Sequence, residues 1–157
     1  MKRRAHPPSR AVPIVLDDAT LQFLQVLWRL EHALERVSKR MEDSIGISGP
    51  QRFALRLIGH NPGVGAGDLA AAMHLHPSTI TGMIRRLEAR RLVERKSHVT
   101  DGRRRHLHLT KAGMRLNHPT GGTVEHAVRR TLAACATRHR RAAARVLEHF
   151  TEELMKL

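Results

Sequence analysis

Tyrosine is absent from the 157-residue chain, which holds one tryptophan, three phenylalanines and one cysteine. So few rings exclude a carbohydrate-stacking surface or an aromatic platform for single-stranded nucleic acid, where successive bases need rings to stack on. The lone Cys135 excludes an intramolecular disulfide framework and a cysteine-rich zinc motif. No stretch approaches the run of about 18 apolar residues that a membrane span needs. Residues 1–16 also lack an apolar core after Lys2, Arg3 and Arg4, so no signal peptide is expected and the default compartment is the cytoplasm. Acids are scarce: 14 Asp and Glu face 28 Lys and Arg, for a formal charge of +14. Such an excess is self-repelling in a folded protein and is best tolerated beside a polyanionic partner. Hydrophobic residues make up 41%, enough for the core of one domain, or one domain with a dimerisation arm.

The charge is concentrated. Residues 75–111 carry ten bases against three acids, +7, which is half the net charge of the chain. Residues 17–44 carry four bases and six acids, and residues 45–74 two bases and one acid. A generally basic surface would not cluster in this way, so the middle segment is the expected DNA face. Residues 1–16, with four bases, no acid and Pro7, Pro8 and Pro13, read as a flexible basic tail. That tail is either a solubiliser or an arm on phosphates.

Periodicity predicts a mainly α protein with one small β-hairpin. A long helix is expected from Asp17 to Ser44, with Leu27, Leu30, Leu34, Val37 and Met41 at steps of three and four. Ser48-Gly-Pro-Gln51 is a capping box with an early proline, opening a helix through Phe53, Leu57 and Ile58 that stops at Asn61-Pro62-Gly63. Asp68–Met73 reads as a short Ala-rich helix, and Ser78–Arg90 as a second helix with Ile80, Met83, Ile84 and Leu87 buried. Leu92–Arg95 and His106–Leu109 read as strands joined by a loop over Ser97–Arg105. Helix resumes near Thr110 and breaks at His118–Gly122. Val124, Val128, Leu132 and Cys135 form one later apolar stripe, on which Cys135 reads as a buried small hydrophobe. Val146, Leu147, Phe150, Leu154 and Leu157 form another.

Residues 69–81 have helix-turn-helix spacing. Ala70 is small where two helices would cross, the turn follows four residues later, and Ile80 anchors the second helix. That helix would offer Ser78, Thr79 and Thr81 to the major groove, with Arg85 and Arg86 one turn on. The hairpin tip Asp101-Gly-Arg103-Arg104-Arg105 could straddle phosphates or enter a minor groove. Arg86, Arg90 and Arg95, beside Glu88 and Glu94, are open to either DNA contact or structural ion pairs.

The stretch Ala-Met-His-Leu-His-Pro-Ser-Thr-Ile-Thr, then Arg-Arg-Leu-Glu-Ala-Arg-Arg-Leu-Val-Glu-Arg, then Asp101-x-Arg103 followed by Leu109-Thr110-Lys-x-Gly113, resembles the winged helix-turn-helix of MarR-type transcriptional regulators. With the Ser48-x-x-Gln51 helix start and the flanking helices, the resemblance spans roughly residues 17–157. It implies a basic tail over 1–16, an N-terminal dimerisation helix over 17–47, a DNA-binding lobe over 48–112 and C-terminal dimerisation helices over 113–157. It further implies that Asp101 braces the wing and Arg103 reaches the minor groove, while Ser78, Thr79, Thr81 and Arg85 face the major groove. Double-stranded DNA and a second copy of the chain are the implied partners. The chain departs from the family at His74, where a turn glycine is usual, at His76, usually a capping serine, and at Arg91, usually a glycine. A left-handed Arg91 would cost about 1 kcal/mol. Gly82 within the recognition helix costs about as much relative to Ala and would let a backbone approach DNA.

The function expected on this basis is a homodimeric, sequence-specific regulator, a repressor in most of the family, on a pseudo-palindromic operator with half-sites about 10 bp apart. A small aromatic or anionic effector would release it. Trp28 has two readings: core or dimer interface, or, with His32, Arg52 and Arg56, the lining of a pocket where such proteins bind small aromatic acids and an arginine pairs with the carboxylate. Redox-sensing relatives carry their cysteine in the first helix, where this chain has none. None of the twelve histidines pairs at i, i+3 or i, i+4, so no metal site and no cofactor are expected. Only an assembly of His32, His126 or His149 with Glu31, Glu125 or Glu148 would hold an ion. The rival function is a sequence-tolerant architectural DNA-binding protein. An enzyme is not expected, since Gly63-x-Gly65-x-Gly67 lacks a preceding strand or a lysine and no catalytic triad or carboxylate pair stands out.

Overall fold

A computed structural model describes residues 16–97 and 105–157. The expected tail up to residue 15 and the wing tip with Asp101, Arg103 and Arg104 lie outside the described residues. In chain order the elements are α1 (Ala19–Ile45), α2 (Gly49–His60), α3 (Ala66–Met73), α4 (Pro77–Ala89), β1 (Val93–Ser97), β2 (Arg105–Leu109), α5 (Lys111–Leu116), α6 (Val124–Ala134) and α7 (Thr137–Leu154). The mainly α architecture with a two-stranded antiparallel hairpin is the one the sequence predicts. Cα packing divides the chain into Met1–Ala33 and Leu34–Leu157.

In the first unit, Asp18 starts α1: its carboxylate accepts from the Thr20 N–H at 2.6 Å, satisfying a donor with no partner inside the helix. Leu21, Phe23, Leu24, Val26, Trp28 and Leu30 all stand exposed along this half of α1.

In the second unit, the expected capping box opens α2. Ser48 Oγ accepts from the Gln51 N–H at 3.4 Å and Gln51 Oε1 accepts from the Ser48 N–H at 3.0 Å. The core gathers Ile47, Ala54, Leu55 and Ile58 with Leu69 and Ala70 of α3, the expected Ile80, Met83, Ile84 and Leu87 stripe of α4, and Leu92, Val93 and Leu107 of the hairpin. Each large side chain so buried contributes about 1.5–3 kcal/mol of transfer free energy. The hairpin pairs Val93 with Leu109 through Ser97 with Arg105. A third segment joins it: Gly63 N–H donates to Leu107 O at 2.9 Å and Leu107 N–H to Val64 O at 3.0 Å. The glycine-rich loop is therefore a sheet edge rather than a phosphate cradle.

Of the predicted α1 stripe only Met41 is buried, while Leu30 and Leu34 are exposed. Phe53 on α2 is 52% exposed. One expectation changes. Cys135 caps the C-terminus of α6 and is half-buried, because the helix ends at Ala134 before reaching it. The apolar stripes of α6 and α7 exist, but neither helix buries a residue within one chain.

Candidate nucleic-acid interface

The recognition helix is held between two turns of one design. After α3, Leu75 N–H donates to Ala70 O and His74 N–H to Ala71 O, both at 3.1 Å. After α4, Leu92 N–H donates to Leu87 O at 2.9 Å and Arg91 N–H to Glu88 O at 2.8 Å. Each is a Schellman closure, a six-to-one bond with a five-to-two bond inside it, and each needs a left-handed residue. His74 (φ 51) and Arg91 (φ 56) supply it, the non-glycine positive-φ residues among those described. The anticipated left-handed Arg91 is thus present, and His74 repeats it, each at about 1 kcal/mol relative to glycine.

His76 performs the capping that a serine performs elsewhere. Its Nδ1 accepts from the Ser78 N–H at 3.3 Å and stands 2.7 Å from Ser78 Oγ. Pro77 follows at the first helical position, where its missing N–H leaves nothing unpaired. With Nδ1 as acceptor, the Ser78 hydroxyl proton points at His76 and its oxygen keeps lone pairs to accept with.

Because Ile80, Met83, Ile84 and Leu87 face inward, Ser78, Thr79, Arg85 and Arg86 stand exposed on the opposite side of α4. Between them, Gly82 would find no atom within 4 Å of an added Cβ. Thr81 differs from its neighbours: it is half-buried and its hydroxyl donates to Pro77 O at 2.9 Å. Among the described residues neither Arg85 nor Arg86 forms an ion pair, whereas Arg95 is tied to Glu88 at 2.9 Å and Lys96 to Glu94 at 3.0 Å. Arg90 lies over Gly46, whose added Cβ would meet the guanidinium at 2.0 Å. Of the basic wing, Arg105 lies on β2 opposite Ser97.

The four residues considered for a ligand pocket are placed otherwise. Arg52 is 1% exposed, and its guanidinium donates to Glu125 Oε1 at 2.5 Å, to Leu116 O at 2.6 Å and to His118 O at 2.8 Å. The carboxylate it was expected to take from a ligand is supplied by Glu125. Arg56, one turn along α2, donates to the backbone and side-chain oxygens of Asn117. Two arginines thus collect three successive carbonyls, those of residues 116, 117 and 118, at the end of α5. Trp28 is 61% exposed and His32 is exposed. Among the described residues no group of three or more His, Cys, Asp or Glu side chains could hold a metal ion, and none of their helices is long and apolar enough to cross a membrane.

Sequence reasoning passed over an apolar groove of about 480 Å³ lined by Leu34, Ser38, Phe53, Met73, Leu75 and Val124, among others. Its one signal was the apolar Phe53 on the side of α2 away from Ile58.

Residues 47–104, from the start of α2 to the wing, match the family described as the MarR family. The chain is 29% identical over 132 residues to the HTH-type transcriptional repressor Rv2887 of Mycobacterium tuberculosis (strain ATCC 25618 / H37Rv), covering 84% of this chain and 94% of the relative. A crystal structure of that M. tuberculosis protein in complex with salicylic acid superimposes with a TM-score of 0.55 at 28% identity, covering 85% of this chain and 98% of the other. The S. aureus MepR–DNA complex has the same fold, with a TM-score of 0.68 at 17% identity, 84% of this chain and 97% of the other. With its capped α4, paired wing strands and flanking helices, the chain has the fold of MarR-family transcriptional regulators, and its residues 47–104 match that family in sequence.

Proposed function

We propose that the chain is a repressor that binds a pseudo-palindromic DNA site as a homodimer and leaves it when a small ligand binds. The observation that carries the reading is the solvent face of α4, where Ser78, Thr79, Arg85 and Arg86 surround the open backbone at Gly82. The hydroxyls suit base edges and the arginines suit phosphates or guanine. Thr81, bonded to Pro77, contributes contact area more than hydrogen bonds, and Arg103, Arg104 and Arg105 of the wing, braced by Asp101, add phosphate or minor-groove contacts. The MepR structure contains DNA, which supports the same use of the shared fold.

Homodimerisation is supported by the apolar side chains that one chain leaves in water: Phe23, Leu24 and Trp28 on α1, and Val146, Leu147 and Leu154 on α7. Pairing two recognition helices across a two-fold axis requires half-sites about one helical turn apart. Such a protein works in the cytoplasm, on the nucleoid. The ligand site falls on the groove beside Phe53 and Val124, which has the size and apolar lining of a small-molecule site; the relative Rv2887 holds salicylic acid. Release follows if the ligand favours dimers whose recognition helices are wrongly spaced for DNA.

Fluorescence anisotropy at about 150 mM salt tests the reading, with the upstream intergenic DNA of its own gene and a scrambled duplex. A regulator favours the first by about 10³-fold or more, and salicylate lowers that affinity. Equal, steeply salt-dependent affinity for both duplexes would instead support a sequence-tolerant coating protein.

A further inference from the structure

Three hydroxyls stand in the first turns of α4, and their protons are committed differently. The Thr81 hydroxyl donates to Pro77 O at 2.9 Å. Among the described residues the Thr79 hydroxyl has no hydrogen-bond partner. Ser78 lies beside an imidazole: its Oγ is 2.7 Å from His76 Nδ1, and its N–H donates to the same nitrogen at 3.3 Å. The backbone leaves that nitrogen one role. Pro77 has no N–H, and the N–H groups of Thr79 and Ile80 are taken by His76 O at 3.0 and 3.2 Å. The Ser78 N–H is therefore the helix donor that the ring receives. An N–H can only donate, so Nδ1 accepts and the ring proton resides on Nε2. The 2.7 Å contact between Nδ1 and Oγ then holds the proton of the serine itself.

We propose that His76 sets a base preference of the recognition helix: by holding the Ser78 proton it makes Ser78 an acceptor, which selects a base with an exocyclic amine, adenine or cytosine, at one position of each half-site. In the major groove adenine N6 and cytosine N4 donate, whereas guanine presents only acceptors and thymine O4 accepts. An unrestrained serine hydroxyl rotates to suit either kind of edge and discriminates little between them. With its proton turned to Nδ1, Ser78 Oγ meets an amine with a lone pair and meets a carbonyl with repulsion. His76 acts through Ser78 and is a positioning residue; both stand exposed at the start of α4. Thr79, which has no such restraint, is the internal contrast. The inference rests on the reading of α4 as the helix that enters the groove.

Selection of duplexes from a random pool by the full chain, followed by sequencing, tests it beside the variants His76→Gly, His76→Asn, Ser78→Ala and Thr79→Ala. Glycine is itself a good N-cap, so His76→Gly should fold. Asparagine restores an acceptor, its amide oxygen, for the same two hydrogens. The parent should favour adenine or cytosine over guanine or thymine by about three- to tenfold at one half-site position, and Ser78→Ala should erase that preference. His76→Gly should erase it at the same position and leave the others unchanged, while His76→Asn and Thr79→Ala should keep it. A merely structural cap would instead lower affinity without changing the base chosen. Proton–nitrogen correlation spectra of the ring, taken without DNA, should show His76 Nδ1 unprotonated. A His76→Gly variant with the parent's preference, guanine or thymine at the position that Ser78→Ala relaxes, or a protonated Nδ1 overturns the proposal. A parent that selects no common sequence removes the DNA reading of α4, and this inference with it, whatever the ring spectrum shows.

Discussion

Arg52 on α2 and Glu125 on α6, 73 positions apart, meet Nε to Oε1 at 2.5 Å, with the arginine side chain 1% and the carboxylate 32% exposed. The remaining guanidinium donors close on the carbonyls of Leu116 and His118. An arginine so deeply buried is tolerable only when its charge is paired and its donors are filled. One side chain therefore fastens α2 to the end of α5 and the start of α6.

Replacing Arg52 by alanine should destabilise the chain by about 3–5 kcal/mol, the range for breaking a buried pair. It leaves two carbonyls and a carboxylate without their donor. Glu125→Gln, which keeps an acceptor but removes the charge, should cost about 1–2 kcal/mol. Urea unfolding measures both; an Arg52→Ala variant within 0.5 kcal/mol of the parent would show that the clamp contributes no stability.

The strained turns around α4 give the opposite sign. His74→Gly and Arg91→Gly should each stabilise by about 1 kcal/mol, since both positions already have the backbone that glycine adopts without penalty. The denaturation midpoint should rise with an unchanged slope. A fall in midpoint would mean that the His74 or Arg91 side chain makes a contact worth more than the strain.

Gly82 and Gly113 look alike in the sequence, each a glycine inside a helix, but their surroundings differ. A Cβ on Gly113 would stand 2.0 Å from the carbonyl oxygen of Leu92, so Gly113→Ala should cost about 3 kcal/mol or more by forcing α5 off the hairpin. A Cβ on Gly82 meets nothing, so Gly82→Ala should gain about 1 kcal/mol of stability. If DNA approaches that backbone, the same variant loses operator affinity while gaining stability. A stabilised Gly82→Ala variant with full affinity would remove the close approach.

What the sequence made legible was everything governed by local rules. The Ser48–Gln51 box, the inward Ile80, Met83, Ile84 and Leu87 and the left-handed Arg91 all follow from spacing and backbone sterics. Glu125 as the partner of Arg52 did not, because a contact across 73 positions leaves no periodic trace; Glu125 was considered only as a metal ligand. That Phe53 and Leu34 stand exposed was not legible either, because periodicity marks an apolar face without saying what covers it. The His76 cap was missed for a different reason. Histidine at that position breaks the usual pattern, yet its Nδ1 supplies the acceptor that a hydroxyl would.

On DNA, charge and hydroxyl should separate. Arg85→Ala should weaken binding to operator and scrambled duplex alike and reduce the salt slope by about 1. Arg103→Ala should do the same from the wing. Ser78→Ala should change preference among operator variants more than it changes the slope, because its oxygen accepts rather than carrying charge. An Arg85→Ala variant with an unaltered slope would place that side chain off the phosphates.

The last expectation concerns the apolar faces of α6 and α7. Val128, Leu132, Val146, Leu147 and Leu154 are exposed in a single chain, and neither helix buries one residue. The charges of α7 run against its dipole as well. Arg138 and Arg140 stand in its first turn, which carries no acid and no side-chain cap, Arg141 follows directly, and Glu152 and Glu153 sit in its last. Such a helix has little reason to persist alone. If a second copy covers it, mass action makes stability rise with protein concentration. The melting midpoint should then climb as concentration increases from about 1 to about 100 μM, by a few degrees for each kcal/mol of linked association. Leu147→Arg should abolish that dependence and shift sedimentation to the monomer. A midpoint independent of concentration, with a dimer still present, would indicate that the two chains part only after the fold is lost elsewhere; a monomer at all concentrations would leave the recognition helix without the two-fold partner its operator requires.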